Sequence, residues 1–205
     1  MSITLFIAIA APLIIAAWLL KGEGRSFTVF LLLGMAMCLL ASYVGGFVTV
    51  LSGSDSMEAA VKYIPIVEEI MKALPVLFYF ALFAPKKTGI LPAAMAVGLG
   101  FAILENAGFM IGLQAGDFLF ALLRGFSAGV MHTVCGAVLG FGLSLVYRER
   151  LLAIPVAFIT VAIAATIHAI YNLFVVAEGP WAIIGYVLPF AVAAVLVVRS
   201  SDFAE

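Results

Sequence analysis

The sequence predicts an all-α polytopic membrane protein, a bundle of about seven transmembrane helices, and three observations predict it. Of the 205 residues, 66% are apolar and only 10% are charged, against about half and about a quarter in soluble domains. The apolar residues gather into seven runs, most of them long enough to span a bilayer, which takes about 20 residues. The breaks between the runs are short and carry polar or turn residues. Ten basic residues against 11 acidic ones leave a net charge of −1, which cannot track a phosphate backbone, so nucleic acid is excluded as a partner and the lipid bilayer is the expected surrounding.

The first run, 3–20, is long enough to span and lacks the basic start of a cleaved signal peptide. Lys21-Gly22-Glu23-Gly24-Arg25 separates it from the second, 27–51. Residues 52–62 are amphipathic and read as a plain loop or an interfacial segment. The third run, 63–84, stops at Pro85-Lys86-Lys87-Thr88-Gly89, and the fourth, 90–113, at Gln114 to Asp117. The fifth, 118–147, is the longest and leaves room for a non-spanning turn at either end. Arg148-Glu149-Arg150 leads into the sixth, 151–177, and Glu178-Gly179-Pro180 into the seventh, 180–198. No internal repeat is visible, and residues 1–205 read as one integral-membrane domain with its motif-bearing core at 63–177. Cys38 and Cys135 sit within apolar runs and read as reduced packing residues.

The loops also imply an orientation. Lys21, Arg25, Lys86, Lys87, Arg148, Arg150 and Arg199 fall on one side, and only Lys62 on the other. The positive-inside rule makes the first side cytoplasmic, with the N-terminus outside and the C-terminus inside.

Ionisable side chains cost about 2.5–3.5 kcal/mol each at mid-membrane on insertion scales, yet the runs carry several. The third contains Glu68, Glu69 and Lys72, the fourth Glu105 and Asn106, the fifth Arg124 and His132, the sixth His168 and Asn172. Glu68 and Glu69 lie four and three residues before Lys72, so either can pair with it. Adjacent carboxylates point about 100° apart and are expected to find different partners. His168 and Asn172 share a helix face. Gly125, Gly129, Gly136 and Gly140 repeat at helical spacing around His132 and predict one smooth ridge for close approach of a neighbour. At about 1.5 Å rise per residue, Glu68, Glu69, Glu105 and His168 all fall about 8–14 Å below the outer ends of their spans, and His132 about 20 Å along a longer one. Four helices, two running each way, therefore bring these groups to one level.

At these residues the sequence resembles the PrsW family of intramembrane proteases, relatives of the type II CAAX prenyl proteases and bacteriocin-processing enzymes. The matching blocks are Glu68-Glu69-x-x-Lys72, Phe101-x-x-x-Glu105-Asn106, His132 in the stretch from Leu123 to Gly140, and His168-x-x-x-Asn172. In the CAAX branch the second block normally ends in His. Glu105 stands there instead, which fits the PrsW branch and argues against prenylated substrates. The resemblance implies hydrolysis of peptide bonds in membrane-associated proteins, a site-one-like cut in a single-span substrate of the anti-sigma-factor kind, and a bacterial cytoplasmic membrane.

Amide hydrolysis needs an activated water, a stabiliser for the oxyanion and a proton donor for the leaving amine. Glu68 or Glu69 is the expected general base, with Lys72 tuning their charge. His168 and Asn172 can donate to the oxyanion, while His132 and Glu105 can orient the water. Asn106 and Arg124 are supporting residues. Two mechanisms fit: one without metal, and one in which Glu69, Glu105, His132 and His168 bind zinc. A nucleophilic enzyme fits poorly. Ser127, although it stands in Gly125-x-Ser127-x-Gly129, lies off the face of His132, and Asp55, Asp117 and Asp202 fall outside the apolar runs.

Each group has a plainer reading. Glu68–Lys72 can be an ion pair that only fixes helix packing, Arg124 a snorkelling residue and Asn106 an interhelical hydrogen-bonding group. The alternatives at the level of the whole protein are a non-catalytic scaffold subunit and a proton-coupled transporter. A missing inverted repeat counts against the transporter.

Overall fold

The computed structural model describes residues 3–83, 85–112, 118–177 and 179–202, and those residues are helical with short connections. Each apolar run becomes one long helix: α1 (Ile3–Leu19), α2 (Gly22–Ser52), α4 (Ile64–Phe83), α5 (Lys87–Gly112), α6 (Phe118–Leu145), α7 (Ala153–Val175) and α8 (Pro180–Asp202), with a short α3 (Ser56–Lys62) between the second and third. The fourth loop, Gln114 to Asp117, together with Glu178 and the side chains of Arg199 and Asp202, lies outside the described residues.

Five of the helical stretches are long and apolar enough to cross a membrane: Gly22–Ser52, Lys87–Ile111, Phe118–Leu145, Arg150–Val175 and Pro180–Val198. α1 is apolar but has 17 residues. α4 has 20 residues but carries Glu68, Glu69 and Lys72. The room left for a turn in the fifth run is used at its C-terminal end, where α6 stops at Leu145 and residues 146–148 turn into a 3-10 helix, Arg150–Leu152.

The segment 52–62 folds as α3. α2 ends on Gly53, whose φ of 66° is a left-handed conformation open to glycine at little cost. Asp55 then caps α3 by accepting from the Glu58 amide at 2.8 Å, and Lys62 pairs with Glu58 one turn back at 2.6 Å. Ala59 is 1% exposed, so α3 is seated on the bundle.

α5 lies at the centre, packed most closely on α6 and α2. This closeness comes from glycine. An added methyl at Gly100 or Gly34 would run into the main-chain carbonyl of Leu31 or Val97 across the α2–α5 contact. One at Gly98 or Gly136 would meet the carbonyl of His132 or Ala94 across the α5–α6 contact. The expected glycine ridge on α6 is thus divided. Gly136 and Gly140 press on α5, whereas a methyl added at Gly125 or Gly129 would meet nothing within 4 Å among the described residues. These pairings also show α5 and α6 to be antiparallel, which sets Glu105 beside the Arg124 end of α6.

Candidate active site

α4 places its polar residues toward the inside of the bundle: Glu68 is 8%, Glu69 3% and Lys72 2% exposed. Residues 68, 69 and 72 fall on one side of the helix, and the exposed Ile66, Ile70 and Leu74 on the other. α6 contributes His132 and α7 His168, both fully buried, with ring centres 5.0 Å apart and planes at 82°.

A continuous chain of polar contacts links four helices. Lys72 Nζ donates to Glu69 Oε1 at 2.5 Å and to His132 Nδ1 at 2.9 Å. An ammonium can only donate, so Nδ1 accepts and Nε2 carries the ring proton. His132 Nε2 donates it to Glu105 Oε2 at 2.6 Å. Glu105 Oε1 in turn lies 3.3 Å from the Arg124 guanidinium, which also stacks on Phe109 at 3.4 Å. At the other end His168 Nδ1 donates to Glu69 Oε1 at 2.8 Å, and His168 Nε2 lies 3.7 Å from Glu68 Oε2. Phe101 closes one side, 5.1 Å from the His132 ring and 4.9 Å from the Lys72 ammonium.

The expected residues therefore separate into two groups. Glu68, Glu69, Lys72, Glu105, Arg124, His132 and His168 come together. Asn172 and Asn106 stand apart from the chain. Asn172 Nδ2 donates to the Ala60 carbonyl at 2.9 Å, and Asn106 has a buried Oδ1 without a partner among the described residues. The two glutamates of α4 share His168 but use different ring nitrogens, and Lys72 chooses Glu69 over Glu68. Cys135 directs its thiol at the Ala164 carbonyl, 3.5 Å away, and Ser127 donates to the Tyr171 hydroxyl at 3.2 Å. Neither has a histidine partner among the described residues. Sequence reasoning misses the Ser127–Tyr171 pair. Its one signal is that Tyr171 lies three residues after His168, on a neighbouring position of the same face.

The donors suit a metal ion. One ligand atom each from Glu68, His132 and His168 lie within 4.8 Å of one another, all buried. His168 Nδ1 gives its hydrogen to Glu69, so the neutral ring holds a lone pair on Nε2. That lone pair faces Glu68 Oε2, which has no hydrogen-bond partner among the described residues. Two acceptors meeting across a buried gap leave room for a proton or a cation between them. Two imidazoles and a carboxylate form a nitrogen–oxygen set proper to zinc. This group shares both histidines with the expected ligands and has Glu68 in addition, while Glu69 bonds to His168 and Glu105 to His132. His132 has both ring nitrogens engaged, so taking up an ion exchanges one of those bonds for a metal bond.

No curated protein and no solved structure matches the chain. A family model described as PrsW family intramembrane metalloprotease matches residues 13–198, which takes in every helix of the site. The match covers most of the chain, and the chain belongs to the PrsW family of intramembrane metalloproteases.

Proposed function

We propose that this protease makes the first cut in single-span membrane proteins, of the anti-sigma-factor kind, near the outer face of a bacterial cytoplasmic membrane. The observation that carries the reading is the run of hydrogen bonds from His168 through Glu69, Lys72 and His132 to Glu105, with Glu68 3.7 Å from His168, buried among apolar helices. The loop charges favour seven spans with the N-terminus outside, which puts the cluster in the outer half of the bilayer.

In this reading Glu68, His132 and His168 hold zinc. When bound, zinc supplies Lewis-acid polarisation of water and of the scissile carbonyl. The chain's own residues do the rest. Glu69, neutralised by Lys72, holds the His168 ring through Nδ1. Glu105 is the least buried of the three carboxylates, with a side chain 16% exposed. It takes the proton of the attacking water and returns it to the leaving amine. Lys72 and Arg124 are the cations beside the place where negative charge develops. The substrate helix unwinds locally before cleavage, because its backbone groups are otherwise already bonded within the helix.

The test is reconstitution in liposomes with a single-span substrate. Cleavage is expected to stop with a chelator, return with zinc, and fall by about 10³-fold or more in His132→Ala or His168→Ala. Full cleavage by metal-free protein, or by all the variants, would overturn the reading.

A further inference from the structure

Asn172 lies four residues beyond His168 on the same face of α7, yet its bond runs away from the polar chain to the carbonyl of Ala60. Ala60 stands where α3 is forced to stop. A continuous helix would set the Val61 carbonyl against Pro65, which has no N–H and whose ring clashes with the carbonyl four residues before it. The chain breaks at Tyr63 (φ −112°, ψ −41°) and restarts as α4 at Ile64. Such a break leaves helix-end carbonyls in need of donors, and the Asn172 amide supplies one. The segment is thus fastened to α7 at two points, Ala60 to Asn172 and Glu69 to His168. These are four residues apart on α7, about 6 Å along its axis. Glu68 lies between the two.

We propose that Asn172 is a positioning residue: it locks the α3–α4 break onto α7 and so sets where Glu68 and Glu69 stand relative to His168. It leaves the reacting carbonyl to other groups. The inference rests on the proposed function in taking Glu68 and His168 as working groups.

The test uses Asn172→Asp, which keeps the shape and loses the donor, and Asn172→Gln, which keeps an amide. Two quantities are read on the full-length protein: deuterium uptake across residues 56–67, and kcat and KM on the single-span substrate. Asn172→Asp is expected to exchange faster over 56–67 and to lose about 10–100-fold in kcat with KM unchanged, as removal of an orienting partner does. Asn172→Gln is expected to exchange more slowly than Asn172→Asp. If Asn172→Asp fails to fold, Asn172→Ala takes its place in the comparison. Loss of kcat with exchange unchanged would overturn the proposal, since Asn172 would then act on the reacting carbonyl. Equal exchange in all forms would overturn it as well. Exchange needs no substrate, so it decides the tie even where the wild type cleaves nothing, a result that counts against the proposed function alone.

Discussion

Two seams run through this bundle and are held by opposite means. Where α4 meets α6 and α7, the contact is ionic: Lys72, Glu69, His132 and His168 are each at most 3% exposed and bond to one another across helices. Where α5 meets α2 and α6, the contact is main chain on main chain, with Gly34, Gly98, Gly100 and Gly136 leaving room for a facing carbonyl. The first seam is costly in lipid and chemically capable. The second is cheap and rigid, and offers nothing for a substrate to react with. A membrane enzyme needs both, since charges buried in apolar surroundings keep their geometry only if the frame around them cannot slide.

The sharpest way to separate the seams is Glu68→Gln. Cleavage is expected to fall by about 10³-fold while thermal unfolding in detergent shows no loss of stability, because the change alters a buried carboxyl whose Oε2 has no hydrogen-bond partner among the described residues. A lower melting temperature would make Glu68 a structural member of the seam. Next comes Lys72→Met, which leaves Glu69 buried without its cation. About 3–5 kcal/mol of stability is expected to go, and the double variant with Glu69→Gln is expected to recover most of it. A third change probes the glycine seam. Gly100→Ala, driven against the Leu31 carbonyl, is expected to cost about 1–3 kcal/mol, with turnover per folded molecule unchanged. Gly125→Ala, which meets open space, is expected to stay within about 0.5 kcal/mol of wild type. If the two alanines behaved alike, the division of the α6 ridge would be wrong.

The smallest effect belongs to the exposed Glu58–Lys62 pair on α3, which lies outside both seams. The hydrogen bond from Lys62 holds the Glu58 carboxyl below its ordinary pKa of 4.5. A lowered folded pKa stabilises above the unfolded value and stops doing so as pH falls through the folded one. Because the pair is open to solvent and screened by salt, Lys62→Ala is expected to leave the melting temperature unchanged at pH 7. A clear drop would show α3 to be held by charge and not by the seating of Ala59.

Much of this is legible in the residues. Apolar runs of span length have one physical outcome in lipid, and each forms a helix whose ends agree with the loop chemistry to within a few residues. The cost of buried charge singles out Glu68, Glu69, Glu105, His132 and His168, and those five do meet. The pairing is less legible. Lys72 reaches a glutamate at three or at four residues equally well, and the choice of Glu69 depends on His132 and His168, 60 and 99 residues away in the chain. α3 is seven residues long with one buried alanine, too short for periodicity to reveal. Asn172 looks like a companion of His168 because spacing tells which side chains share a face. Spacing does not reveal that the partner is a backbone carbonyl on another helix.

The contact between Gly98 and the main-chain carbonyl of His132 reaches further than packing. It ties the His132 imidazole to a residue that has no chemistry of its own and lies a full turn and more from any charged group on its helix. A genetic screen for heat-sensitive loss of proteolysis would therefore recover alleles at position 98. Their defect would appear at the restrictive temperature as a displaced histidine in an otherwise intact membrane protein.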